Sequence, residues 1–176
     1  MLRWTLVMAM VLAQTSAAAP RFDSSRAWSD LRQVVALGPR PAGSPAVEQT
    51  RHYIKSQLAP LDIPVAEQAW DDQTPAGPVH MVNLVATIPG ASKNRVVIAG
   101  HFDTKRYREF RFVGANDGGS STAFLIEIAR VLKARKNALT IELSFWTARK
   151  PSASGREWTT RTAAATTWRQ RSATDR

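Results

Sequence analysis

The first apolar feature of the chain is the continuous run Leu6 to Ala13, preceded by Arg3 and followed by Ser16-Ala17-Ala18-Ala19. A positive start, a short apolar run and small residues form the pattern of a secretory signal. Residues 1–18 are therefore expected to be a signal peptide, and the product to be secreted or periplasmic. The run is shorter than the roughly 20 apolar residues of a membrane-spanning helix. No other stretch approaches that length, so no membrane span is expected.

Beyond it the spacing alternates between helical and extended. Trp28, Leu31, Val34, Val35 and Leu37 predict an inward helix face over Arg26 to Leu37, stopped by Gly38-Pro39-Arg40-Pro41-Ala42-Gly43. Ser44 can cap a second helix with Pro45 in its first turn and Val47, Tyr53, Ile54 and Leu58 inward. Ile63 to Trp70 and Val79 to Ile88 read as strands around a turn-rich Asp71 to Pro78. Val96-Val97-Ile98-Ala99 is continuously apolar, as in a strand buried on both faces of a largely parallel sheet. Ser121 to Arg135 is helical, with Phe124, Leu125, Ile128, Val131 and Leu132 on one face. Leu139, Ile141, Leu143 and Phe145 alternate with Thr140, Glu142 and Ser144, the pattern of a half-buried strand.

Length and composition narrow the chemistry. A chain of 176 residues with 44% apolar content is long enough for one domain with a real core, which excludes global disorder. It has no Cys, so disulfides, thiolate-bound zinc, iron–sulfur clusters and thiol nucleophiles are excluded. The net charge of +10 raises the possibility of anionic partners, but half of it sits in the last 31 residues.

The chemistry-bearing segment is Gly100 to Ser121. His101 and Asp103 follow directly after the apolar strand, and ligands in open α/β sheets bind beyond the carboxyl ends of strands. A His-x-Asp there can present an imidazole to a metal or a substrate, with Asp103 fixing the ring. Asp117 precedes the next helix beside Gly118 and Gly119, where a carboxylate on a rigid loop can ligate a metal or can simply cap the helix. His52 is expected on a solvated helix face and His80 at a strand edge.

Several ordered motifs together resemble the zinc aminopeptidases of metallopeptidase family twenty-eight and their relatives, the animal-type glutaminyl-peptide cyclotransferases. They are Gly38 to Ser44, Val82-Asn83-Leu84-Val85-Ala86, Gly100-His101-Phe102-Asp103-Thr104-Lys105, Phe112 to Ser121, and Leu125-Ile126-Glu127-Ile128-Ala129-Arg130. The resemblance runs from about Trp28 to Phe145. It implies an α/β fold with a mixed, mostly parallel central sheet flanked by helices, present here in part over residues 19–145. It implies zinc chemistry at peptide or protein N-termini. Asp117 matches the family's metal-binding carboxylate, and His101 matches a ligand of its two-zinc aminopeptidases. The single-zinc cyclotransferases keep the His-x-Asp without using that His as a ligand. Asp103 matches the neighbouring carboxylate, a catalytic position. Lys105 and the phrase Phe-Val-Gly-Ala-Asn-Asp stand closer to the cyclotransferases, which convert N-terminal Gln to pyroglutamate. Hydrolysis of N-terminal residues by a zinc aminopeptidase is the alternative. The first implies one zinc ion, the second two.

Residues 146–176 do not continue this pattern. They contain no Ile, Leu, Val, Met, Phe or Tyr, and seven Lys/Arg against Glu157 and Asp175 leave a net +5. Such a segment cannot bury a core and is expected to be disordered. It could serve as a basic arm of a non-catalytic binding module, although no specific nucleic acid is expected as a partner. A frameshift accounts for more. The family resemblance leads one to expect Asp-Gly-Glu-Glu-Ala after Phe145. Trp146 is encoded by TGG and Thr147 begins with AC, so the neighbouring frame reads GAC, Asp, with no freedom. Thr147 to Pro151 then permit Gly-Glu-Glu-Ala, Pro151 to Gly155 permit Phe-Arg-Glu-Trp, and Trp158-Thr159 again force Asp. Thr159 to Arg169 permit a phrase ending Tyr-Gly-Ser-Arg-His-x-Leu-Ala, which resembles the family's continuation.

In the family the first Glu of that pair is the general acid/base, the second binds zinc, and a final His ligand lies further on. This chain has Arg149, Lys150 and Pro151 near that place. The expected product as translated binds zinc weakly, has low stability and lacks activity. Oligomeric state is not legible.

Overall fold

The computed structural model describes residues 20–74 and 77–147. The expected signal peptide, residues 1–18, and the expected tail from residue 148 onward lie outside the described residues.

Three helices and four strands follow in the order expected. Helix α1 (Ser24–Ala36) starts where the Asp23 carboxylate accepts from the amides of Ser25 and Arg26. Helix α2 (Pro45–Leu58) starts at Ser44, whose hydroxyl accepts from the Val47 amide at 3.2 Å. A one-turn 3-10 helix, Ala59–Leu61, leads to β1 (Val65–Thr74) and β2 (Gly77–Ile88). The turn expected over Asp71 to Pro78 is much shorter, because strand pairing continues to Thr74 opposite Gly77. Strand β3 (Ser92–His101), helix α3 (Ser120–Lys133) and strand β4 (Leu139–Trp146) complete the set.

The sheet order is β1-β2-β4-β3. It is mixed, as expected, but less parallel than expected: β2 pairs antiparallel with β1 and β4, and β3–β4 is the parallel pair. The short β1–β2 connection enforces antiparallel pairing, whereas β3 and β4 are joined through α3, the crossover a parallel pair needs. The core lies between the sheet and α2 and α3, built from Ile54, Leu58, Leu84, Ile126, Leu143 and Phe145 among others. Among the described residues no helix is long and apolar enough to cross a membrane.

Two strands exchange the roles read from their hydropathy. β3 borders only β4 among the described residues, and Val96 and Val97 are 40% and 51% exposed rather than doubly buried. β4 lies inside the sheet, and its polar residues Glu142 and Ser144 are buried along with Leu143 and Phe145. Alternation cannot reveal polar positions that find partners: the Ser144 hydroxyl donates to Glu142 Oε1 at 3.0 Å, and Arg95 lies 3.6 Å from Glu142 Oε2. Two aromatic residues expected inward also face solvent. Trp28 is exposed, and Phe124 stacks on Phe22 at the surface, with ring centroids 5.8 Å apart.

Trp146 and Thr147, expected to lie outside the fold, are part of it. Trp146 belongs to β4, and its carbonyl accepts from the Phe102 amide at 3.0 Å. Buried Thr147 donates from its amide to Asn83 Oδ1 at 3.0 Å and from its hydroxyl to the Val82 carbonyl at 2.6 Å.

Candidate functional site

The parallel β3–β4 pair places His101 opposite Trp146, so both strands end at the same rim of the sheet. His101 is the last residue of β3, and Phe102, Asp103 and Thr104 continue inward as buried residues. The chain returns at Gly114 and passes through Asp117 into α3. All three residues singled out from the sequence meet here. His101 Nδ1 lies 3.3 Å from Asp103 Oδ1 and 3.2 Å from the Asp103 carbonyl oxygen. His101 Nε2 lies 3.0 Å from Asp117 Oδ1. His52, on an exposed helix face, and His80, paired with Asp71 across the β1–β2 hairpin, stand apart.

Local backbone geometry makes this meeting possible. Asp117 (φ −91°, ψ 96°) and Gly118 (φ 93°, ψ −39°) break the helical path just before α3. A side chain at Gly118 would place its Cβ 2.5 Å from the Asp103 carbonyl oxygen and 3.1 Å from the His101 ring, so glycine is required both for φ and for space. Gly114, at φ 55°, packs a hypothetical Cβ 2.4 Å from the Asp117 carbonyl oxygen. The capping role open to Asp117 in the sequence is not taken: Gly119 stands at the N-cap, without a side-chain cap bond. The Ser121 hydroxyl instead donates to the His101 carbonyl at 2.7 Å, and Thr122 donates to the Gly118 carbonyl at 2.7 Å. The first turn of α3 is thereby tied to the end of β3.

Arg40 is the residue of this site that sequence reasoning missed. Its guanidinium is buried and donates to the carbonyls of Val34, Gly38, Phe102, Val113 and Gly114 at 2.8–3.4 Å. Its amide donates to Thr104 Oγ1 at 2.9 Å, and its carbonyl accepts from the Thr104 amide at 3.0 Å. Burial pushes the guanidinium below the usual arginine range, against the pull of Asp103 and Asp117. Arginine nevertheless stays charged at neutral pH, so Arg40 sets a fixed positive charge behind two site carboxylates. A charged residue locked between Pro39 and Pro41 was the available signal.

The geometry defines what the site can do. At this distance the Nε2–H tautomer of His101 donates a hydrogen bond to Asp117; with Nδ1–H directed at Asp103 instead, Nε2 presents a lone pair toward Asp117. Two lone pairs 3.0 Å apart require a proton or a cation between them. A metal ion held by both at about 2.0–2.1 Å in tetrahedral geometry would separate them by roughly 3.3 Å, close to the observed spacing. Two donors therefore fit a metal ion. A catalytic zinc takes about three protein ligands and an open position, and among the described residues no group of three or more His, Cys, Asp or Glu side chains could hold a metal ion. Among the described residues, His101 and Asp117 do not by themselves make up a metal site.

Residues 83–149 match Peptidase family M28. A glutaminyl-peptide cyclotransferase of Drosophila melanogaster is 30% identical, over 72% of this chain and 39% of that protein. A glutaminyl-peptide cyclotransferase-like protein of Bos taurus is 30% identical, over 82% of this chain and 40% of that protein. The crystal structure of an Acidobacteriales bacterium glutaminyl cyclase superposes with a TM-score of 0.74 at 32% identity, covering 91% of this chain and 57% of that one. The chain thus spans about 40% of the length of these curated relatives.

Proposed function

The chain belongs to Peptidase family M28 and its glutaminyl-peptide cyclotransferase relatives, and from that premise we propose that it corresponds to part of an exported glutaminyl-peptide cyclotransferase, inactive as translated. The substrate class is peptides or proteins with N-terminal Gln. In the reaction the free α-amine attacks the side-chain amide carbon, a five-membered lactam forms, and ammonia leaves. Family members are zinc-dependent, and zinc when bound would polarise the amide under attack.

The observation that carries this reading is the His101–Asp103–Asp117 constellation at the carboxyl ends of two adjacent parallel strands. In this proposal Asp117 is a metal ligand, His101 is a second ligand or a neighbouring proton carrier, and Asp103 fixes the His101 ring. Arg40 holds the two carboxylate-bearing loops together.

The proposed inactivity has a positional argument. His101 is paired with Trp146, and buried Thr147 is the last described residue after it. The residues that follow Trp146 in the sequence, Thr147-Ala148-Arg149-Lys150, include two cations and no carboxylate. The neighbouring reading frame supplies Asp at Trp146–Thr147 and then permits Gly-Glu-Glu. Trp146 itself fits its place imperfectly: its indole N–H is buried without a hydrogen-bond partner among the described residues.

The test is resequencing across the codons for Phe145 to Thr147, followed by an ammonia-release assay on a Gln-initiated peptide. One added base should restore the Glu pair and the activity, and the chain as translated should show none. Cyclisation by the chain as translated would overturn the proposed inactivity. A restored product that releases N-terminal residues and does not cyclise Gln would overturn the cyclotransferase reading in favour of an aminopeptidase.

A further inference from the structure

The segment between the two halves of the site has a composition its fold does not require. Lys105 to Phe112 reads Lys-Arg-Tyr-Arg-Glu-Phe-Arg-Phe, four cations and three aromatic rings with a single carboxylate. None of the three rings belongs to the core cluster. They pack on one another instead. Tyr107 stacks on Phe110 with centroids 4.5 Å apart, and Phe112 meets Tyr107 edge-on at 5.2 Å. Phe110 remains 55% exposed. Lys105 Nζ stands 5.0 Å from the centre of the Tyr107 ring.

The base of this loop is fixed. Arg40 holds Thr104 on one side and the Val113 and Gly114 carbonyls on the other. The loop therefore projects from a rigid base, with Lys105 two residues after Asp103 and Phe112 five residues before Asp117. Exposed aromatic clusters on such loops mark binding surfaces, and aromatic and Arg side chains supply most of the energy at interfaces.

We propose that this loop is a docking platform for acidic peptide segments, which it holds downstream of an N-terminus lodged at His101 and Asp117. The charge fixes the class of partner: Lys105, Arg106, Arg108 and Arg111 against Glu109 attract an acidic chain and repel a basic one. The stacked rings offer a flat face to the backbone and side-chain stems of an extended peptide. The mutual stacking of the rings favours a peptide over a lipid surface, into which aromatic side chains would splay separately. The inference deepens the reading of a peptide-directed site and rests on it for the direction of the bound chain.

The test is fluorescence anisotropy with the full chain and dye-labelled peptides: Gln followed by four Glu, the same peptide N-acetylated, and Gln followed by four Lys. The acidic peptides should bind at least tenfold more tightly than the basic one. Because the C-terminal segment is also basic, two charge-matched variants are compared. Arg106→Glu/Arg108→Glu should weaken acidic-peptide binding about tenfold or more, and Arg169→Glu/Arg171→Glu should weaken it less than threefold. Phe110→Ser, at an exposed position, should weaken it about fivefold with an unchanged circular dichroism spectrum. Equal losses from the two double variants would overturn the platform, as would binding to phosphatidylglycerol vesicles that the acidic peptides fail to compete. Tight binding of both acidic peptides with no preference for the free amine would keep the platform and count against the N-terminus-directed site alone.

Discussion

Helix α3 carries a charged cluster near each end, and the two are built on opposite plans. Toward its C-terminal half, fully buried Glu127 accepts from the Asp23 amide, Arg26 and Arg130 at 2.8–3.1 Å. Arg130 also donates to Asp30 at 2.7 Å, and the Tyr53 hydroxyl donates to Asp30 at 2.6 Å. Asp23 also pairs with Arg26 at 3.3 Å, so three acids meet two bases, and α1, α2 and α3 are bound together. At its N-terminal end, Asp103 and Asp117 flank one imidazole, and Arg40 behind them spends its guanidinium on backbone carbonyls. A buried charge balanced by its neighbours holds a fold together. Two carboxylates turned on one imidazole, at 3.3 Å and 3.0 Å, hold a proton or a cation between them. The comparison separates architecture from chemistry within one helix.

The sharpest way to break it is Arg40→Met. If Arg40 is the scaffold of the site, its loss leaves five carbonyls to find other partners and should cost about 3–5 kcal/mol, read by urea denaturation. A cost under about 1 kcal/mol would place the organisation of the site elsewhere.

Glu127→Gln probes the balanced cluster and should cost about 3 kcal/mol at neutral pH. Burial raises the Glu127 pKa, but the bonds from Arg26, the Asp23 amide and Arg130 outweigh it and hold the carboxyl below the usual range. The folded state therefore releases this proton more readily than the unfolded chain does. The stabilisation is present above the ordinary carboxylate pKa and is lost as pH falls through the lower, folded value. The gap between wild type and variant should thus be full at pH 7 and close below about pH 4.

Gly118→Ala tests the site at a position remote from that network. With φ at 93° and the Asp103 carbonyl 2.5 Å from the added carbon, it should cost about 2 kcal/mol. It should also shift the His101 ring resonances in NMR spectra, whereas Glu127→Gln should leave them in place.

The smallest effect is expected from Tyr53→Phe, about 1 kcal/mol. Burial, then the Asp30 hydrogen bond, pushes the Tyr53 phenol well above its ordinary range. Its contribution holds below about pH 10, the unfolded phenol pKa, and is lost as pH rises beyond it. Wild type and variant should converge in alkali.

What the sequence made legible follows the same division. Helix and strand order, the Ser44 cap and the meeting of His101, Asp103 and Asp117 could all be read, because each depends on local spacing or on a contiguous motif. The burial of β3 and β4 could not. Val96 and Val97 are apolar yet exposed, and Glu142 is charged yet buried, because burial depends on which strand takes the inner place. Arg40 and Glu127 were hidden for a related reason: several partners of each lie more than 60 residues away in the chain. Long-range satisfaction of a buried charge leaves almost no local trace.

In the proposed function, His101 and Asp117 are two donors of a zinc site that the chain as translated does not complete. Calorimetric titration of the purified full chain with zinc tests this most directly, with His101→Ala and Asp117→Ala as references. Zinc should bind more weakly than about 10 µM, since two donors fall short of the roughly three a catalytic zinc needs. One zinc per chain bound at micromolar affinity or tighter, and lost in Asp117→Ala, would contradict it.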